Sequence, residues 1–256
     1  PDPPVTESNE QLPGRILTSG NGDGIEFART REYRSGDNPS RIDWRHYART
    51  GTLATVEYRQ ERTVKVVVCI DARASSYRGR EGGPHAVSHG VAAAQELLDA
   101  VWDVDERAGL AAIGREFCWL PPDRGTDHQH RARQLLLTHP TLSPQPPDDP
   151  EPDDGRARDQ LRELRMRLDR QTQLVFVSPL ADQFVVDTAL ELAGAGRPVT
   201  VVSPDVTTGN SPGDRIAAAE RRNRIYALRR GGVSMVDWDT DTSLARALMG
   251  AKQRWS

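Results

Sequence analysis

Only two cysteines, Cys69 and Cys118, occur in the 256 residues. They are too few for a disulfide framework, and neither sits in a Cys-x-x-Cys pair, so both read as small buried core residues. Lysine is equally scarce: Lys65 and Lys252 are the only two, and the 34 basic side chains are otherwise arginine. Set against 37 acidic residues they leave a net charge of −3. That balance lacks the basic excess with which a dedicated nucleic-acid binder releases phosphate counterions. Apolar runs such as 66–70 are far too short to span a bilayer. No secretory signal opens the chain, which starts Pro1-Asp2; it is expected to be processed, or part of a longer protein whose targeting segments lie elsewhere. Nucleophile elbows of the Gly-x-Ser-x-Gly type, Cys-His pairings and dinucleotide glycine fingerprints are also missing, which leaves nucleophilic and dinucleotide chemistry without support.

What is present is 36% apolar and 28% charged residues, the composition of a globular protein. Residues 1–23 hold prolines and glycines among polar residues with no apolar period, and read as an arm. An arginine-rich stretch over 24–63 follows, ending in an alternating run over 53–58 that suits a strand. From Val64 to the end, β-branched runs alternate with helical patterns, the mark of repeated β-α units and a mostly parallel sheet. The spacing predicts strands over 64–70, 109–113, 117–120, 173–178, 198–203 and 233–237, with 109–113 and 117–120 forming a hairpin around Gly114. Helices are predicted over 86–102, 128–138, 156–170, 182–193, 212–230 and 242–252. Between them, 140–155 carries six prolines among Asp148, Asp149, Glu151, Asp153 and Asp154, and reads as a solvated acidic loop.

In an open α/β sheet, sites gather where strands end and loops lead into helices. Asp71 stands there, at the end of the most apolar strand, in the sequence Asp71-Ala72-Arg73-Ala74-Ser75-Ser76. A carboxylate with hydroxyls two and four residues later makes a hard-oxygen site for Mg²⁺. Here Arg73 takes the middle hydroxyl's place, and a guanidinium has donors only. A salt bridge from Arg73 to Asp71 is the expected substitute for the metal.

Three further segments carry a resemblance. Tyr33-Arg34-Ser35-Gly36-Asp37-Asn38-Pro39-Ser40-Arg41-Ile42-Asp43-Trp44-Arg45, then Ala48-Arg49-Thr50-Gly51 and Glu57-Tyr58-Arg59-Gln60-Glu61-Arg62, resemble the signature of the domain of unknown function 58 (DUF58) family. The strand and Asp71 loop that follow are similar to the von Willebrand factor A-type domain found in that family. The resemblance covers roughly residues 24–200 and implies a three-layer, Rossmann-like α/β fold. Such domains hold a divalent cation on an Asp-x-Ser-x-Ser loop, a Thr from a second loop and an Asp from a third. Carried over, Asp71 and Ser75 match the first loop and Arg73 departs from it. Thr126, after Gly125 and before a helix, matches the second, while Pro179 takes the acid's place in the third, with Asp182 three residues late. The resemblance therefore implies a degenerate metal-ion-dependent adhesion site, with no cofactor or, as the alternative, Mg²⁺. It further implies a non-enzymatic interaction domain working with a MoxR-type AAA+ ATPase in chaperone-like or membrane-associated assembly. Such a domain is cytoplasmic, with a membrane anchor supplied by segments outside this sequence. Arg73 would offer a partner the charge that a cation otherwise provides.

Read as residues alone, Gly36-Asp37-Asn38-Pro39 is a turn signal. Arg34, Arg41, Asp43 and Arg45 suit Arg-carboxylate pairs while Ile42 and Trp44 pack inward, giving a segment that wraps the sheet; a partner-binding surface is the other reading. The rival function is a metal-dependent hydrolase or nuclease built on carboxylates near Asp43 and Asp71, with Asp37, Glu57 and Glu61 as further candidates. His85 and His89 have a zinc-like four-residue spacing but no Glu follows His85. Gly79, Gly82 and Gly83 lack the Lys-Ser/Thr of a phosphate loop. The Arg221, Arg222, Arg224, Arg229 and Arg230 group fits the charged outer face of an amphipathic helix.

Overall fold

The apolar run beginning at Val64 becomes strand β3, Lys65–Ala72, buried at every position after Lys65. A computed structural model describes residues 26–33, 42–59, 64–79, 82–147, 154–207, 209 and 211–255. The arm expected over 1–23, the signature residues Arg34, Gly36, Asp37 and Arg41, and the acidic stretch 148–153 lie outside them. The chain divides into two units at Val64/Lys65.

In the first unit, β1 (Glu26–Glu32) pairs antiparallel with β2 (Ala54–Arg59). Between them lies the short helix α1, Trp44–Thr50, whose N-terminus is capped by Asp43 Oδ1 accepting from the His46 N–H at 2.9 Å. Gly51 ends it at φ 72°, a left-handed cap that suits glycine. The inward packing expected of Trp44 does not occur: Trp44 is 60% exposed, meets Tyr47 edge-on, and no residue of α1 is buried. Two strands and two helical turns are too little structure to enclose an indole. Asp43 spends its oxygen on the cap, and Arg45 is exposed.

The second unit is a six-stranded sheet in the order β5-β4-β3-β6-β7-β8. Its strands are β3, β4 (Arg107–Gly114), β5 (Cys118–Asp123), β6 (Gln173–Val177), β7 (Val199–Asp205) and β8 (Ser234–Asp239). All neighbours run parallel except β5, which turns back antiparallel on β4 as the predicted hairpin requires. The helices are α2 (Ala86–Trp102), α3 (Thr126–Thr138), α4 (Asp154–Arg167), α5 (Phe184–Gly194), α6 (Pro212–Arg230) and α7 (Leu244–Trp255). Helices α4, α5 and α6 bury Leu161, Leu164, Val185, Leu192, Ile225 and Leu228 against Val67, Cys69, Phe176 and Met235 on one face. Helices α2 and α7 cover the other, with α3 beside α2; Gly90 of α2 comes so close to Ile70 and Val177 that an added Cβ would stand 3.2 Å from Ile70 Cγ2. Burying each large side chain of this interior contributes about 1.5–3 kcal/mol. The result is the expected three-layer, Rossmann-like α/β fold.

Leaving β3, the chain crosses to β4 on one side; leaving β6, it crosses to β7 and β8 on the other. The carboxyl ends of β3 and β6 therefore flank the point where strand order reverses, where the loops diverge and open a crevice. The loop expected over 140–155 takes helical structure at both ends: Pro140–Leu142 forms a 3₁₀ turn that buries Thr141 and Leu142, and α4 begins at Asp154. Among the described residues no helix is long and apolar enough to cross a membrane.

Candidate functional site

Register places the site. Ile70 of β3 pairs with Val177 of β6, so Asp71 and Ser178 are the next residues out on adjacent strands at the reversal point. Asp71 is 3% exposed. Two residues on, Arg73 turns back over it: Nε donates to Asp71 Oδ1 at 2.9 Å and Nη2 to Oδ2 at 3.0 Å, a bidentate pair. Ser178 Oγ donates to the same Oδ2 at 2.8 Å. The salt bridge expected between Arg73 and Asp71 is thus present, and it extends further than the sequence indicated.

The extension is Asp182. Arg73 Nη1 donates to Asp182 Oδ2 at 2.9 Å and Nη2 to Asp182 Oδ1 at 2.9 Å, so one guanidinium grips two carboxylates through four hydrogen bonds. Asp182 reaches that position because Leu180, buried and at φ 55°, takes a left-handed turn that folds the loop back. The turn costs a non-glycine residue about 1 kcal/mol. It is held by the Leu180 N–H donating to Ser178 Oγ at 3.1 Å and by Arg224 Nη1 of α6 donating to the Leu180 carbonyl at 3.1 Å. The three-residue offset that counted against Asp182 in the sequence is absorbed by this turn. Phe184, the first residue of α5, donates its N–H to Asp182 Oδ1 at 3.0 Å and sets its ring 4.2 Å beneath the Arg73 carbon Cζ. That adds a cation–π contact to the clamp.

Burial opposes the charge on Arg73, yet Asp71 and Asp182 outweigh it and hold the guanidinium above its ordinary pKa. Burial likewise pushes the Asp182 carboxyl up, but the hydrogen bonds and charge of Arg73 win and hold it below its usual range. Ser75 Oγ lies near enough to add to that lowering without completing a hydrogen bond, and among the described residues the buried Ser75 and Ser76 hydroxyls have no hydrogen-bond partner. Arg73 is only 9% exposed whereas the Asp182 side chain is 37% exposed. The guanidinium therefore spends its charge inside the molecule, contrary to the expectation that it faces a partner, and the accessible member of the cluster is an acid.

Thr126 does not join the site. Asp123, just before it, pairs with Ala108, which lies beside Val66 at the opposite end of β3. Five residues of strand, about 16 Å, separate Val66 from Asp71. The antiparallel return of β5 is the cause, since it delivers the following loop to the amino ends of the parallel strands. The threonine that does stand at the carboxyl ends is Thr141, beside Gly114, which pairs with Ala72. Its hydroxyl is used structurally, donating to the Glu116 carbonyl at 2.6 Å and accepting from the Glu116 N–H at 2.8 Å.

A divalent cation does not fit this arrangement. The place between Asp71 and Asp182 is filled by Arg73, which satisfies both carboxylates, and the residue matched to the second loop lies at the far end of the sheet. Among the described residues no group of three His, Cys, Asp or Glu stands close enough to hold a metal. His85 caps α2, its Nδ1 accepting from the Ser88 N–H at 3.2 Å, and its Nε2 lies 2.6 Å from the Pro144 carbonyl. His89 meets Trp238 edge-on. Sequence reasoning missed Ser178 and Phe184; the signal available for Ser178 was its place directly after a buried strand, the same place that singled out Asp71.

Residues 29–208 match the model of the family described as "Protein of unknown function DUF58". The uncharacterized protein YeaD of Bacillus subtilis (strain 168) is 25% identical over 213 residues, which is 82% of this chain and 48% of that protein. The chain thus spans about half the length of that relative. Two solved structures are similar at low sequence identity. An aerotolerance-related membrane protein from Bacteroides fragilis NCTC 9343, carrying multiple mutations to serine, aligns with a TM-score of 0.47 at 15% identity over 75% of this chain and 99% of its own. The conserved hypothetical protein BatB from Bacteroides thetaiotaomicron aligns with a TM-score of 0.46 at 14% identity over 75% and 98%.

Proposed function

Because the chain belongs to the DUF58 family and carries its own cation at the strand-reversal point, we propose that it is a non-catalytic, von Willebrand factor A-like protein-interaction domain with a degenerate metal-ion-dependent adhesion site. The observation that carries this reading is the double bidentate clamp of Arg73 on Asp71 and Asp182. An adhesion site needs a positive centre to hold its loops in shape, and a guanidinium with four charge-assisted bonds supplies one without a metal. The cluster of one arginine and two aspartates keeps a formal charge of −1, and its exposed member is Asp182. The face therefore suits a basic or hydrogen-bond-donating group on the partner rather than a carboxylate.

The partner in this reading is a MoxR-type AAA+ ATPase, and the work is chaperone-like or membrane-associated assembly of other proteins. The domain sits on the cytoplasmic side, held there by segments outside this sequence. Surface plasmon resonance of the chain against a purified MoxR-type ATPase, in EDTA, tests it. Binding that persists in EDTA and drops at least tenfold in Asp182→Asn supports the reading. Binding that requires Mg²⁺, or that ignores Asp182→Asn, overturns it.

A further inference from the structure

The outer face of α6 carries a second feature, made of residues that take no part in the Arg73 clamp. Arg215, Arg222 and Arg229 recur every seventh residue, and all three are exposed. At 3.6 residues per turn and 1.5 Å per residue they form one row with steps of about 10.5 Å. Tyr226, 61% exposed, and Arg230, whose Cζ lies 5.8 Å from the Tyr226 ring centre, fall within about 100° of the same arc. Half-buried Ala219 lies between them and leaves a low floor in the middle of the stripe.

Among the described residues none of these four arginines makes an ion pair. Elsewhere in the unit Arg124, Arg133 and Arg165 are paired with Asp105, Asp99 and Glu191, whereas exposed Arg131, Arg158 and Arg170 make no ion pair among the described residues, so it is the alignment in one row that sets the α6 cations apart. The acids of α6 itself are already engaged: Asp214 closes the capping box with Ser211, and Glu220 pairs with Arg224. Arg221 points the other way, buried and bonded to Ser203, Asp205 and Asp237. The stripe is thus four cations and one aromatic ring with no internal counter-charge.

The geometry points to a docking site for an acidic helix of a protein partner, laid along α6 with carboxylates seven residues apart. A single line of cations at heptad spacing meets a helix of the same period at every step, as flanking charges do between paired helices. Arginine and tyrosine are the residues that carry binding energy in protein interfaces, and Ala219 lets a second backbone approach. Duplex DNA carries a phosphate charge about every 1.7 Å of its axis, far denser than a single row of cations about 10.5 Å apart would match.

The probe is a fluorescein-labelled alanine-glutamine helical peptide of about 20 residues with glutamate at every seventh position, followed by anisotropy in low-salt buffer against the whole chain. A shuffled peptide of equal composition, phosphatidylserine-containing vesicles and duplex DNA are measured in the same buffer. The heptad peptide is expected to bind about tenfold more tightly than the shuffled one. Each of Arg215→Gln, Arg222→Gln and Arg229→Gln is expected to weaken it about threefold, and the triple variant about 30-fold, with unchanged thermal unfolding because all three side chains are exposed. Equal binding of the shuffled peptide, an unaffected triple variant, or tighter binding of vesicles or DNA would overturn the assignment. None of these outcomes depends on Arg73 or Asp182, so failure here leaves the proposed function standing, and the reverse.

Discussion

Replacing Arg73 with serine removes the positive centre and leaves both carboxylates in place. The cost divides by exposure. Asp71, whose side chain is 2% exposed, keeps Ser178 Oγ as its one side-chain donor among the described residues once the guanidinium is gone. Breaking a buried pair by removing one partner costs about 3–5 kcal/mol. Asp182, at 37% exposure, rehydrates and adds a surface-scale loss of about 0.2–1 kcal/mol. At about 2–4 °C per kcal/mol for a unit of this size, the melting temperature followed by circular dichroism in EDTA falls by about 10 °C. The vacated space is then flanked by two carboxylates and the Ser75 hydroxyl, a hard-oxygen set that suits Mg²⁺. At 100 times its Kd, Mg²⁺ returns about 2.7 kcal/mol, so roughly half of the lost melting temperature comes back in the variant and none changes in the wild type. A wild type that gains stability with Mg²⁺, or an Arg73→Ser variant within about 1 kcal/mol of wild type in EDTA, refutes the view that the guanidinium stands in for the ion.

Two other outcomes follow from the same geometry. Arg73 holds the Asp182 carboxyl below its ordinary pKa, so Asp182 binds its proton less readily in the folded than in the unfolded chain. Its contribution is complete above the unfolded value of about 3.9 and fades as pH falls toward the folded one. Urea midpoints of wild type and Asp182→Asn should therefore converge below about pH 4, and a gap that stays constant down to pH 3 speaks against the pairing. Gly114 ends β4 so tightly that an added Cβ would stand 2.5 Å from the Ala72 carbonyl and 2.8 Å from Thr141 Cγ2. Gly114→Ala is expected to destabilise by about 2 kcal/mol, read as a shift in the urea midpoint without a change in slope; an unshifted midpoint shows that the loop behind Ala72 is loose.

Much of this was readable from residue pattern, because buried parallel strands and amphipathic helices leave strong periodic signals. The strand under Asp71, helix 212–230 and the hairpin around Gly114 all emerge from it. So does the Arg73–Asp71 pair, since a permanent cation two residues from a buried acid has few other places to put its charge. The failures arise where a single backbone angle or a chain reversal decides. Nothing in Ser178-Pro179-Leu180-Ala181-Asp182 announces a left-handed leucine, so the reach of Asp182 is invisible until the turn is seen. The hairpin is legible and the place of Thr126 is not: one antiparallel strand sends the next loop to the other end of the sheet, and local sequence around Gly125-Thr126 carries no trace of that inversion. Alternation of Trp44 with the charged Arg41, Asp43 and Arg45 suggests an inward ring, but burial depends on how much surrounding structure exists to cover it.

The two borders of the sheet have a consequence for how the molecule keeps company. On one side β5 ends in Pro121-Pro122-Asp123, so an approaching strand meets two residues without an N–H to offer and then a charge. On the other, β8 presents Asp237 and Asp239, both exposed. Neither border invites a further strand, which guards against edge-to-edge polymerisation when the protein is crowded. Association is steered instead toward the loops above the strands and the outer sides of the helices, where side chains rather than backbone do the choosing and a wrong neighbour can be refused.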